Sequence, residues 1–494
     1  MVKQVYGLLF VHLSLAGGAA LAALEPHAPP VRELVRACLA EDQPLAALAA
    51  ATAAVAHAPR SAAAHAALAG ALFRNADFEG AELAARRALA LDGQEPDAHV
   101  ALARCLETQG EKVEAERHLA LVLQSDPRHA TALRLMTGML DINSERPQAI
   151  EMNRRFVALG PPGANGRLFT HHARRVTALL ETLGATQLDV QPPWGERPQE
   201  IVLPLTVTED GLKVEIAFSG ELGRPSVKRT CVFDTGEESI TLRTETAEAF
   251  GAPKVGEIPS STITGIEEMT LVRVPKLAAG SFALSNTLAG IGSSDIVGPG
   301  IFPGYRVKMD FMGRRLVLTR QPKDVQPGPE DLKDAPKGTR RLRVRCLGKL
   351  VWFPVHTLNE AGPLKRRPAW GFLDTGCDPP ALLLPRYLQA LKSEAGKGPL
   401  ALPFRASLEG AARGEAVDQV LHVLPEFRLQ LLGAEVSADR ALVAASAASV
   451  SQATEAELDL IVGWPVIWRA FKSVEIDFER CVLTVEPRVT AGKR

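Results

Sequence analysis

Two stretches of this chain could do acid–base chemistry. Cys231-Val232-Phe233-Asp234-Thr235-Gly236 and Gly371-Phe372-Leu373-Asp374-Thr375-Gly376 each run an apolar segment into an aspartate, a threonine and a glycine. Each is followed later by two apolar residues and a glycine, Ile296-Val297-Gly298 and Ile461-Val462-Gly463. Each then reaches a similar strand, Val307-Lys308-Met309-Asp310-Phe311 and Val474-Glu475-Ile476-Asp477-Phe478. Matching features in one order, twice, mark a duplicated unit and not a chance tripeptide. Two carboxylates brought to one site cannot both ionise cheaply, so one keeps its proton. Such a pair holds a base and an acid side by side.

The duplicated pattern resembles the aspartic peptidases, both the two-lobed pepsin-like proteins and the retropepsins. Its local texture is most similar to bacterial retropepsin-like proteins. The resemblance spans roughly residues 200–488. It implies that Asp234 and Asp374 are the catalytic dyad. The ionised one would take a proton from a bound water, which attacks a peptide carbonyl. The protonated one would polarise that carbonyl and then help the amine leave. It also implies that Thr235 and Thr375 bond across the lobes, and that Gly236 and Gly376 let backbone N–H groups approach the carboxylates. Gly298 and Gly463 would pack against these loops with no side chain in the way. Which aspartate is the base is a property of the pair. One chain carries both halves, so no dimer is needed. The substrate would be a peptide or protein, and no residue spacing suggests a metal or an organic cofactor.

The family closes a β-hairpin flap over its substrate. Ile263-Thr264-Gly265-Ile266-Glu267 is the candidate, with Ser407–Gly414 a weaker counterpart in the second lobe. The alternative for both is an ordinary surface hairpin. Glu238 and Asp378 stand where retropepsins carry an acid that binds substrate backbone. The residue after each Asp-Thr-Gly is usually small, but here it is Glu237 and Cys377. Pointing inward, Glu237 would raise the pair's pKa values and crowd the water; pointing to solvent, it would be harmless. Cys377 has no histidine near it in sequence and is not read as a nucleophile. The alternative function is therefore a catalytically inactive peptidase-like protein that binds extended peptides, or a repeat-domain scaffold.

These loops sit in β-rich sequence: a first lobe over 200–322, a Pro/Gly/Asp-rich break over 323–338, and a second lobe over 339–488. A repeat precedes it. Ala47, Ala81, Ala115 and Ala149 are 34 residues apart, as are Pro59, Gly93, Pro127 and Pro161. His65/His99 and Asp92/Asp126 keep the same phase. That period is a helix–turn–helix unit, with alanine where two helices approach and Pro or Gly at the end of the second. Residues 27–185 read as this helical-repeat module, which over about residues 30–160 resembles the tetratricopeptide repeat family, with Ala and Leu at most of its large aromatic positions. The resemblance implies a groove for a protein partner. Residues 166–184 read as one more helix, capping the stack. The connector, 186–199, holds few apolar residues, so a chain starting near Pro198 is expected to fold alone. The expected fold is multidomain: an all-α helical-repeat solenoid, then an all-β, two-lobed aspartic-peptidase-like domain.

Residues 1–23 read as a signal peptide, with Ala20-Leu21-Ala22 as the small-residue cleavage pattern. Export to the periplasm or medium is expected, with no stable membrane span after cleavage; an N-terminal anchor is the alternative. A net charge of −1 argues against a nucleic-acid partner. Arg340–Cys346 alternates apolar and basic residues, as a half-buried strand with a solvated arginine face would. The six scattered cysteines read mostly as small core residues, and in an exported chain some could pair. Gly290–Ser294 lacks the strand-to-helix context of a phosphate loop. His171-His172 are adjacent on a helix, cannot chelate as a helical pair, and read as solvated.

Overall fold

The computed structural model describes residues 31–209, 211–221, 224–262, 265–323, 327–333, 335–357, 369–377, 381–384, 402–409, 416–432, 434–443 and 455–488. A helical repeat region is followed by a β-rich domain with two sheets. The expected leader, residues 1–23, lies outside the described residues. Among those described, no helix is long and apolar enough to cross a membrane.

Nine α-helices among the described residues precede the first strand, from Val31–Ala40 to Gly163–Leu183. Four of them end at His57, Leu91, Ser125 and Leu159, each 34 residues after the last. Pro59, Gly93, Pro127 and Pro161 follow two residues on. Ala47, Ala81, Ala115 and Ala149 are all buried, where a larger side chain would push the helices apart. Smaller features repeat too. His65 Nε2 meets the Pro59 carbonyl at 3.0 Å, and His99 Nε2 the Gly93 carbonyl at 3.1 Å. Asp92 accepts from the Gln94 N–H and Asp126 from the Arg128 N–H, two matching turns between helices.

By its contacts the chain divides into two units, with the first boundary inside the helix Pro96–Glu107. The first unit is residues up to Leu102 with Pro162–Asn165. It packs small residues, Ala47, Ala51, Ala67 and Ala71, against Val35 and Cys38. Ser61 and Asp77 cap helices by accepting from Ala64 N and Gly80 N. Arg32 pairs with Glu95 at 2.6 Å.

The second unit holds the later helices and the β-rich domain. Six antiparallel strands join its halves, in the order Arg340–Arg343, Val482–Pro487, Phe471–Asp477, Tyr305–Asp310, Arg315–Arg320, Glu200–Thr208. Three come from each half, and the order reads the same from either end. Alternate residues, among them Val307, Met309, Val474 and Ile476, are buried, as a period of two requires.

Outward from this joint the halves repeat one topology. In the first, Ser226–Phe233 runs parallel to Ile296–Val297, which is antiparallel to Ile240–Arg243, which is parallel to Phe282–Gly292. In the second, Ala369–Asp374, Leu460–Gly463, Ala381–Leu383 and Ala434–Val443 follow with the same three senses. A hairpin completes each: Lys254–Thr262 with Gly265–Ala279, and Leu402–Glu409 with Ala416–Leu431.

Two expectations are corrected. Arg340–Cys346 is not one strand: it leaves the joint sheet at Val344 and enters the other at Arg345–Leu347. Arg345 is therefore buried with its neighbours and not on a solvated face. The connector 186–199 does not hang free. Leu188 is buried with Leu179, Leu183 and Leu271, and Val190 bridges Ser285. Trp194 lies under the guanidinium of Arg197, 4.9 Å from the ring centre. The repeats also reach the domain, for the Thr108 carbonyl accepts from Cys346 N at 2.8 Å. A chain starting near Pro198 would strip these apolar faces, so independent folding from that point is not expected. His171 and His172 are both exposed, as read, and His171 also pairs with Glu268 of the first hairpin.

Candidate active site

The two Asp-Thr-Gly loops meet. Each aspartate stands at the end of an apolar strand pinned by a parallel neighbour. Phe233 pairs with Val297, and Asp234 N donates to the Val297 carbonyl at 3.0 Å. Asp374 pairs with Gly463. The threonines then lock the loops reciprocally. Thr235 N donates to Thr375 Oγ1 at 3.0 Å, and Thr375 N to Thr235 Oγ1 at 3.1 Å. Thr235 Oγ1 donates to the Leu373 carbonyl, and Thr375 Oγ1 to the Phe233 carbonyl. Both threonines are buried, so every polar atom there needs such a partner.

The glycines let the aspartates close. Gly236 N donates to Asp234 Oδ1 at 2.8 Å and Gly376 N to Asp374 Oδ1 at 2.9 Å. Gly376 N also lies 3.0 Å from Asp234 Oδ1, so one N–H serves both carboxylates. A methyl added at Gly236 would stand 2.8 Å from Asp374 Cγ, and one at Gly376 2.5 Å from Asp234 Cγ. Only glycine fits at either position. A side chain at Gly298 would strike the Glu237 carbonyl. Gly463 opens the short helix Trp464–Ala470, whose first N–H donates to the Cys377 carbonyl at 3.0 Å.

Desolvation raises the pKa of both aspartates, and the backbone N–H groups oppose it only in part. Asp374 is pushed well above the ordinary carboxylate value, because Asp234's charge and hydrogen bond add to its burial. The pair holds a proton at pH values where a free aspartate would have lost it.

Glu237 does not turn onto this pair. Its Oε1 accepts from Ser239 N at 3.1 Å and its Oε2 from Thr241 Oγ1 at 2.9 Å. Burial raises its pKa, and the nearby Asp234 and Glu238 charges add to that. Glu238 is also engaged: its carboxylate accepts from the Lys349 N–H, at the turn between Arg345–Leu347 and Leu350–Thr357. It ties the first loop to the second half. Asp378 lies outside the described residues. Cys231, on the strand before Asp234, has its thiol pushed up to about 12, chiefly by burial, and is inert at neutral pH. All six cysteines are free.

Gly265 opens the second strand of the first hairpin, opposite Thr262; residues 263–264 lie outside the described residues. So do Gly410 and Gly414 of the counterpart. Helix Gly163–Leu183 lies along the first hairpin. Leu179 and Leu183 cluster with Val255, Ile258 and Met269, and Arg175 pairs with Glu257 at 2.6 Å and Glu268 at 3.3 Å. Nothing in the sequence signals this long-range docking. Sequence reasoning also missed Asp295, just before Ile296-Val297-Gly298. Buried Asp295 accepts from Arg243 N, the Arg243 guanidinium and Thr246 Oγ1, fixing the strand beside the first loop.

Residues 72–140 match a family model described as tetratricopeptide repeat, in agreement with the observed helices. Among curated proteins none matches the chain. Solved structures are similar over the repeats. MamA shares 20% identity over 26% of this chain and 75% of its own, with a TM-score of 0.21. TTC0263, a thermophilic TPR protein of Thermus thermophilus, shares 19% over 35% and 94%, at 0.26. An O-GlcNAc transferase mutant of Thermobaculum terrenum shares 21% over 25% of each chain, at 0.23. Likeness at these scores says nothing of function.

Proposed function

We propose that this chain is an aspartic endopeptidase whose repeat region binds a protein partner or presents the substrate. One observation carries the reading: a single N–H, that of Gly376, bonds both Asp234 and Asp374. The carboxylates therefore lie side by side, where two negative charges would be costly and the pair keeps one proton. The ionised carboxylate takes a proton from a water held at the pair, and the resulting hydroxide attacks a peptide carbonyl. The protonated carboxyl donates to the carbonyl oxygen, and its partner then returns a proton to the departing amine. Acid–base work of this kind contributes on the order of a hundred- to ten-thousand-fold in rate. Rigid threonine and glycine bonds keep the groups preorganised. Glu237, occupied by Ser239 and Thr241, leaves the water's place open. The apolar run at residues 6–24 supports export.

The test is incubation of the purified full chain with unfolded protein and a mixed peptide library, from acid to neutral pH. Acid-favoured cleavage is expected, blocked by a peptide mimic with a central hydroxyl and indifferent to chelator. Loss of cleavage in chelator, or no cleavage at any pH, refutes the assignment.

A further inference from the structure

A cavity of about 570 Å³ opens on the joint sheet, and no residue of the aspartate pair lines it. The strands that bury Val307, Val474 and Ile476 present their alternate side chains here. Register sets these next to one another: Arg306 opposite Thr319, and Thr484 opposite both Glu475 and Arg341. Both halves of the β-rich domain and both connectors contribute to the wall.

The wall is cationic. Its carboxylates are already taken: Asp331 and Asp477 each meet Arg480 at 3.0 Å, and Glu475 meets Arg306 at 3.4 Å. Among the described residues, no carboxylate pairs with Arg320 or Arg341. Arg320 donates to the carbonyls of Trp194 and Arg197 and to Gln199 Oε1. Arg341 donates to the Lys333 carbonyl, at 3.3 Å. Gln321, only 3% exposed, gives its Oε1 to Arg480 and leaves its Nε2 without a partner among the described residues. A guanidinium keeps its charge at any ordinary pH. Half-buried and without a counter-charge, it favours an incoming anion.

We propose that this cavity binds a small phosphate-bearing ligand, gripped by Arg306, Arg320 and Arg341 with the hydroxyls of Thr319 and Thr484. Donors reaching in from several strands exceed what the two oxygens of a carboxylate can accept. The three terminal oxygens of a phosphate monoester suit them, and charge-assisted bonds to guanidinium are the strong kind. The volume exceeds a phosphate's own and leaves room for a small organic body beside Trp194. An occupant would brace the two halves from the joint, whether or not the aspartate pair cuts peptides.

Calorimetric titration of the full chain with inorganic phosphate, at constant ionic strength in chloride, tests this. One saturable site is expected. Arg341→Gln gives up a single long hydrogen bond and should fold normally; it is expected to weaken phosphate by about tenfold or more. Glu475→Gln removes a competing acid and should tighten it. Lys228→Gln, in an exposed pair on another strand, should bind as the wild type does. No saturable binding by the wild type, or unchanged affinity in Arg341→Gln, overturns the site. Acetate displacing phosphate at equal concentration overturns its preference for phosphate.

Discussion

Thr235 and Thr375 each donate a backbone N–H to the other's hydroxyl, and each hydroxyl donates to the carbonyl before the other's aspartate. Two loops 140 residues apart are thereby one structure. Thr235→Ala leaves the buried Thr375 N–H and Leu373 carbonyl unmatched. It is expected to cost about 2–4 kcal/mol in denaturant unfolding. Thr235→Ser keeps the hydroxyl and should cost less than about 1 kcal/mol.

Asp374 carries a second expectation. Its folded pKa lies well above the ordinary aspartate value of 3.8. Between the two values the native state binds more protons than the unfolded one, so stability falls as pH rises through that window. Asp374→Asn cannot ionise. It should unfold at higher denaturant than the wild type near neutral pH, lose that advantage in acid, and show no cleavage. A wild-type advantage at neutral pH would mean the carboxylate is not desolvated as described.

Glu237 gives a third. Its pKa is raised first by burial and further by Asp234's charge, and repulsion between two charges is mutual. Glu237→Gln should shift the acid optimum of cleavage downward while the rate holds. Glu237→Ala should also cost about 1–2 kcal/mol, as Ser239 N and Thr241 Oγ1 lose their acceptor. A silent wild type awakened by either change would show that Glu237 blocks the water after all.

The fourth concerns Leu183. It is buried against Leu271 of the first hairpin from a helix of the repeat region. Leu183→Ala should cost about 2–4 kcal/mol. A chain beginning at Pro198 lacks Leu179, Leu183 and Leu188 together and should aggregate, whereas one beginning at Ala103 should stay soluble. Equal solubility of the two would show that the docking is incidental.

What the sequence could convey follows from how local each signal is. Asp234-Thr235-Gly236 and Asp374-Thr375-Gly376 announce themselves because turn chemistry and an apolar strand lie within a few residues. Ala47, Ala81, Ala115 and Ala149 do so through period alone. Leu179 against Leu271 left no trace, since a helix's apolar stripe does not name its partner. Arg345 misled because charge alternation continues across the point where the chain changes sheets. Glu238 was read for the cleft, yet its carboxylate reaches Lys349, 111 residues on, a contact set by how the halves close.

The most direct measurement uses Asp234→Asn and Asp374→Asn singly, assayed beside the wild type on one peptide library from acid to neutral pH, with unfolding curves for all three. Cleavage by the wild type alone, with both variants folded, is the expected result, since neither carboxylate can share a proton with an amide. Cleavage retained at wild-type rate by either folded variant would contradict a shared catalytic role for Asp234 and Asp374.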